Sequence, residues 1–148
     1  MPLWSYFPIC VALLFGGLAA ISAVTGPDAL VDPKVEVLRS APLWLLGTIG
    51  LVAPVLEARV WTAAFVEGLA HAFRAPLLGA ACGVLAYSVL FHWSGGGLAI
   101  VASAWLGCVL NYAYYVMRNR SRLAAFANTV ALRWSFLAFA YVQIHSMP

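Results

Sequence analysis

The side chains best equipped for chemistry lie in residues 66–76, VEGLAHAFRAP, where Glu67, His71 and Arg74 fall four and three positions apart. On a helix that spacing projects all three from one stripe. A carboxylate beside an imidazole can relay protons, and an arginine beside the histidine can hold a quinone oxygen or an anionic substrate. The competing reading sets the same residues at a membrane surface. There Glu67 and Arg74 neutralise one another through His71 and keep the segment out of hydrocarbon, and no desolvation cost demands a function. A di-iron carboxylate centre needs a second glutamate and a pair of Glu-x-x-His units. Glu67 and His71 have the wrong spacing for it, and no partner unit occurs.

A second constellation is basic. Arg118, Arg122, Thr129 and Arg133 recur at helical spacing within a narrow arc, with Arg120 between the first two in the run RNRSR. Lying in the interface, that arc would face phosphates, and an anionic lipid such as cardiolipin is its natural ligand. Otherwise it is ordinary topology-setting charge, with Arg133 snorkelling to the surface. If the last segment spans, Arg133 requires a buried partner, which Glu67, Glu57 or a carboxylate of a neighbouring subunit can supply. His92 and His145 fall at the outer ends of their segments, where paired histidines can grip a haem iron or a metal and single ones hydrogen-bond headgroups. Cys10, Cys82 and Cys108 show no CxxC spacing and read as small buried hydrophobes. No cofactor follows from any of these motifs, beyond bound phospholipid.

The elements that must position these residues are set by composition. The chain is 64% hydrophobic and 9% charged, with eight Lys and Arg against five acids in 148 residues. So few charges do not cover a water-facing surface. Continuous apolar runs, rather than alternating segments of about ten residues, point to helices and not to a barrel. The fold expected is therefore an all-α integral membrane bundle of four to five transmembrane helices plus a short interfacial helix. Spans are expected over about 6–25, 35–56, 75–93, 98–117 and 123–145, with 57–74 as the interfacial segment. The alternative for 57–74 is a tilted continuation of the preceding span. Asp32-Pro33 is a plausible N-cap and first helical position before the second span. Neither a cleaved signal nor an Arg-rich transit segment is expected, because no Lys or Arg precedes Lys34.

Placing RNRSR inside puts Arg59, Arg74, Arg118, Arg120 and Arg122 on the inner side and Lys34 and Arg39 outside, with the N-terminus in and the C-terminus out. Trp4, Trp44, Trp93, Trp134, Tyr112, Tyr114 and Tyr115 fall where aromatic belts belong. Gly79 and Gly83, four apart in GAACG, have the spacing of closely packed transmembrane helices.

The stretch ARVWTAAFVEG, with Arg59 and Glu67, resembles the second helix of the membrane-associated eicosanoid and glutathione enzymes, which carries Arg and an Asn-x-x-Glu unit. Ala64 stands where that unit has Asn, and the charged loop before the second span departs from the family's pattern. No activity or site residue is carried over from the resemblance.

The function expected is that of a non-catalytic accessory subunit of a multi-subunit assembly, of respiratory-chain or ATP-synthase type, in a mitochondrial inner membrane. Its partners would be other transmembrane subunits and membrane lipids, with no nucleic acid. The alternative is a small membrane enzyme or carrier that handles a lipid-soluble or anionic substrate through Glu67, His71 and Arg74, with Arg133 nearby.

Overall fold

The computed structural model describes residues 5–26, 41–92 and 96–146. Within them the chain is helical throughout, and four helices are long and apolar enough to cross a membrane. The protein is an integral membrane helical bundle. The Asp32-Pro33 cap, Lys34, Arg39, Trp4, Trp93 and the first six residues of the span expected over 35–56 lie outside the described residues.

Helix α1, Tyr6–Thr25, has the bounds its apolar run predicts. It stops at Gly26, whose φ of 90° suits a residue without Cβ and whose N–H returns to the Ser22 carbonyl. Helix α2 runs unbroken from Leu43 to Phe73, so the second span and the interfacial segment expected over 57–74 are one helix. The physical reason is that Glu57 and Glu67 find cationic partners on neighbouring helices and need not retreat to the headgroups. At 1.5 Å per residue, α2 is about 46 Å long against roughly 30 Å of hydrocarbon, so it tilts or carries one end beyond the core.

Two features mark the middle of α2. Pro54 sits inside the helix and denies the Gly50 carbonyl its usual donor four residues on. The indole Nε1 of Trp134, from the last helix, donates to that same carbonyl at 2.9 Å. Just beyond, residues Ala58–Ala64 form a π-helical stretch. Its wider turn buries Ala58, Thr62 and Ala63. The helix ends where Arg74 takes the left-handed conformation at φ 54°, and Ala75 N–H closes on the Leu69 carbonyl at 3.2 Å.

Pro76, at a position with no helical donor to lose, opens α3. This helix runs over Pro76–Leu85 and continues as a π-helix over Ala86–Phe91. At about 24 Å it falls short of the hydrocarbon thickness. Gly79 and Gly83 press it against α2. A Cβ at Gly79 would overlap the Phe65 carbonyl oxygen, and one at Gly83 would meet the Trp61 carbonyl and Asn111 Oδ1.

Helix α4, Gly96–Arg118, is the centre of the bundle and touches all four others. Ser103, Leu106, Gly107, Leu110, Asn111, Tyr114 and Met117 form its buried stripe. Trp105 lies across Gly17 of α1 and donates to the Leu13 and Leu14 carbonyls, both at 3.3 Å. A turn at residues 119–121 reverses the chain. Ser121 Oγ accepts the Ala124 N–H at 3.1 Å as an N-cap, and α5 follows over Arg122–Ser146.

Successive helices alternate in direction. The C-terminal ends of α2 and α4 and the N-terminal ends of α1, α3 and α5 therefore gather at one face, called here the inner end.

The Pro54–Gly50–Trp134 arrangement yields a double-mutant cycle. Trp134→Phe should destabilise the bundle by roughly 1 kcal/mol in reversible unfolding from mixed micelles, and by distinctly less in a Pro54→Ala background, where a backbone donor returns. Equal losses in both backgrounds would refute the assignment. Gly79→Val should cost about 1–3 kcal/mol through overlap with the α2 backbone, whereas Gly47→Val, which meets nothing within 4 Å, should not.

Candidate functional site

The polar side chains of the bundle gather at two levels. At the inner end, Glu67 faces α4 and not along its own helix. Arg118 grips it with two bonds, Nε to Oε1 at 2.9 Å and Nη2 to Oε2 at 3.1 Å. The Tyr114 hydroxyl donates to Oε1 at 3.3 Å. Arg122, 73% exposed, approaches Oε2 at 3.4 Å from α5. The two-bond arginine–carboxylate geometry is the strong form of the interaction. It ties the end of α2 to the end of α4 and the start of α5.

This arrangement separates both constellations expected from the sequence. Glu67 and His71 stay four apart on α2, but Arg74 leaves their stripe, and no ion pair or hydrogen bond joins the three among the described residues. Arg74 lies past the end of α2 in a left-handed conformation, off the stripe that straight helical spacing implies, and His71 and Arg74 are both exposed. Nor do Arg118, Arg122, Thr129 and Arg133 share one arc. The turn at residues 119–121 puts Arg118 on α4 and the other three on α5. Arg118 is engaged with Glu67, Thr129 turns inward to bond the Ala125 carbonyl at 2.9 Å, and Arg133 is only 3% exposed. Arg120 and Arg122 are left on the surface of the inner end. Arg59 is not at that end at all, since it lies eight residues before Glu67 within α2.

The second level lies eleven residues along α5 from Arg122, about 16 Å deeper. Arg133 Nη1 donates to Glu57 Oε2 of α2. Its guanidinium also lies 4.8 Å from the ring centroid of Tyr87, which is buried in the π-helical end of α3. Close by on α4, Gly107 lies against the Tyr87 ring. The Gly107 carbonyl accepts Asn111 Nδ2 at 3.0 Å. Thr62, Asn111, Asn128 and Thr129 are buried in the same bundle. Thr62 Oγ1, Asn111 Oδ1, Asn128 Nδ2, and Nε and Nη2 of Arg133 have no hydrogen-bond partner among the described residues.

Of the three partners offered for Arg133 by sequence, the structure selects Glu57. Sequence reasoning missed Tyr87, Thr62, Asn111 and Asn128. Their signal was a polar side chain in mid-run, but Asn111 read as the edge of the NYAYY belt. Tyr114 of that belt is itself buried, and Trp134 sits beside Arg133 in mid-helix rather than at an interface.

Among the described residues, no three His, Cys, Asp or Glu side chains gather as metal ligands would. The His92 ring meets Tyr87 edge-on at 5.0 Å, and the His145 side chain lies outside what is described. Of the cysteines, Cys10 is buried, Cys82 half-buried and Cys108 exposed, so only Cys10 is the buried hydrophobe expected. Comparison with protein-family models, with curated proteins and with solved structures gives no match for this chain.

Removing one member of the deep pair leaves an uncompensated buried charge. Arg133→Met should therefore destabilise the bundle by on the order of 3 kcal/mol, and the double variant Glu57→Gln/Arg133→Met should recover most of that loss. Glu67→Gln should cost about 1 kcal/mol or less, because that pair is partly exposed and screened by salt. Unfolding from mixed micelles at low and high salt separates the two, and a double variant no more stable than Arg133→Met would refute the deep pairing.

Proposed function

We propose that the chain is a non-catalytic accessory subunit of a multi-subunit membrane assembly. The observation that carries this reading is where the acids go. Glu57 and Glu67, the two acids in the described helices, both link α2 to other helices of the same chain. They act as clamps of a scaffold. The alternative, an enzyme or carrier built on Glu67, His71 and Arg74, needs those groups in one site, and the end of α2 takes Arg74 off the stripe of the other two.

The outer surface supports the same reading. The first half of α2 packs chiefly on α5 and leaves Leu43, Trp44, Leu51, Val52 and Leu56 facing outward. Neighbouring subunits and acyl chains are natural partners for such a surface. The further choice of a respiratory-chain or ATP-synthase-type complex in a mitochondrial inner membrane rests on the inner end. Arg74, Arg120 and Arg122 are exposed there together, which suits a cardiolipin-bearing leaflet.

The test is native electrophoresis of the tagged chain from its own membrane in mild detergent, followed by assay of the band it enters. The chain should migrate with a large assembly, and Glu67→Gln should leave that assembly's turnover within about twofold, where loss of a general acid or base would remove at least about a hundredfold. Migration alone or as a homo-oligomer, or collapse of turnover, would defeat the proposal.

A further inference from the structure

Glu57 and Arg59 stand two residues apart on α2 and therefore on opposite sides of it. Glu57 turns inward to Arg133. Arg59 is exposed on the outside of the bundle, with no ion pair or hydrogen bond to any described residue. Its place near the middle of a membrane-spanning helix makes this costly. Arg59 lies eight residues, or about 12 Å, from the level of Glu67, and sixteen residues, or about 24 Å, from the other end of α2 at Leu43. Side chains of a helix lean toward its N-terminus. Arg59 therefore leans away from the inner headgroups, and snorkelling to their phosphates works against its own geometry. A cation held at that depth on an outer face calls for an anion brought to it.

The surface next to Arg59 is shaped for such a neighbour. Val60, Ala64 and Gly68 follow at four-residue intervals on the exposed side of α2. Ala64, Phe65, Gly68 and Leu69 line a shallow apolar groove, and a Cβ at Gly68 would meet nothing within 4 Å. Small residues flanked by larger ones let a second helix backbone approach closely in a bilayer. The groove supplies the approach and Arg59 supplies the charge. These are independent features of one face.

We infer that this face of α2 receives a transmembrane helix of another subunit, and that the incoming helix presents an Asp or Glu carboxylate at the depth of Arg59. A second copy of this chain does not fit the requirement. Among the described residues its acids, Glu57 and Glu67, are both engaged within the chain. The inference rests on the accessory-subunit reading and adds the chemistry of the contact.

The test places the photo-crosslinking residue p-benzoylphenylalanine at Ala64 of the full chain in its native membrane and sequences the cross-linked peptide by mass spectrometry. The expected adduct is a transmembrane segment of a different protein with an acid in it. Its yield should fall at least about tenfold in Arg59→Leu, where the partner's carboxylate loses its counter-charge, and persist in Arg59→Lys. Both variants should unfold at the wild-type midpoint, since Arg59 is bonded to no described residue of its own chain, which separates lost docking from lost folding. Adducts confined to lipid or to a second copy, an acid-free partner helix, or a yield indifferent to Arg59→Leu would each overturn the inference. If the chain still migrates with a large assembly, such a result leaves the accessory-subunit reading standing. If the chain migrates alone, both readings fall.

Discussion

A polar group inside hydrocarbon must find its partner within the protein, and in this bundle that constraint is met most tightly along the seam between α2 and α5. Two consecutive residues of α5 grip α2 on either side of Pro54. Trp134 occupies the Gly50 carbonyl that the proline leaves without a donor, and Arg133 holds Glu57. The first contact makes a proline tolerable in mid-helix. The second makes a charge tolerable at depth. The first half of α2 has its main neighbour in α5, so this seam fixes where that half lies.

The other helices are arranged around the same constraint by a different device. Gly79 and Gly83 bring the α3 backbone onto the α2 backbone, which carries Tyr87, one turn further along α3, to the guanidinium of Arg133. Bulk at Gly83 would displace Asn111 as well as Trp61. Close packing and polar pairing are thus coupled: the glycines set the spacing at which the buried cation meets its ring. At the inner end, the Glu67–Arg118 pair repeats the logic in a wetter setting, where it is worth less energetically but still holds three helix ends together.

Much of the architecture was legible from the residues. The apolar run 6–25 gave α1 its bounds, the runs over 98–117 and 123–145 lie within α4 and α5, and GAACG marked the glycines that meet α2. What misled was charge. Glu57, Arg59 and Glu67 interrupt an apolar stretch, and with no partner visible along the sequence an interfacial segment is the economical reading. The partners of Glu57 and Glu67 lie 76 and 51 positions away. Periodicity on one helix shows which side chains share a face and nothing of what that face meets. For the same reason the stripe Glu67, His71, Arg74 and the arc from Arg118 to Arg133 dissolved. One crossed the left-handed end of α2 and the other a chain reversal, and neither boundary alters the spacing of the letters.

The two sides of α2 differ in how their charges are met. Inward, every charged group of this helix is matched by an opposite charge of the same chain, so the bundle can hold its shape from its own contacts. Outward, Arg59 is matched by no charge among the described residues. A residue that contributed only to folding would be expected on the inner side, and one that contributed only to solubility would be expected beyond the hydrocarbon. Arg59 is in neither place. Its position is intelligible under the proposed docking of a partner helix, which would bring a counter-charge to a cation in mid-helix without its leaving the membrane.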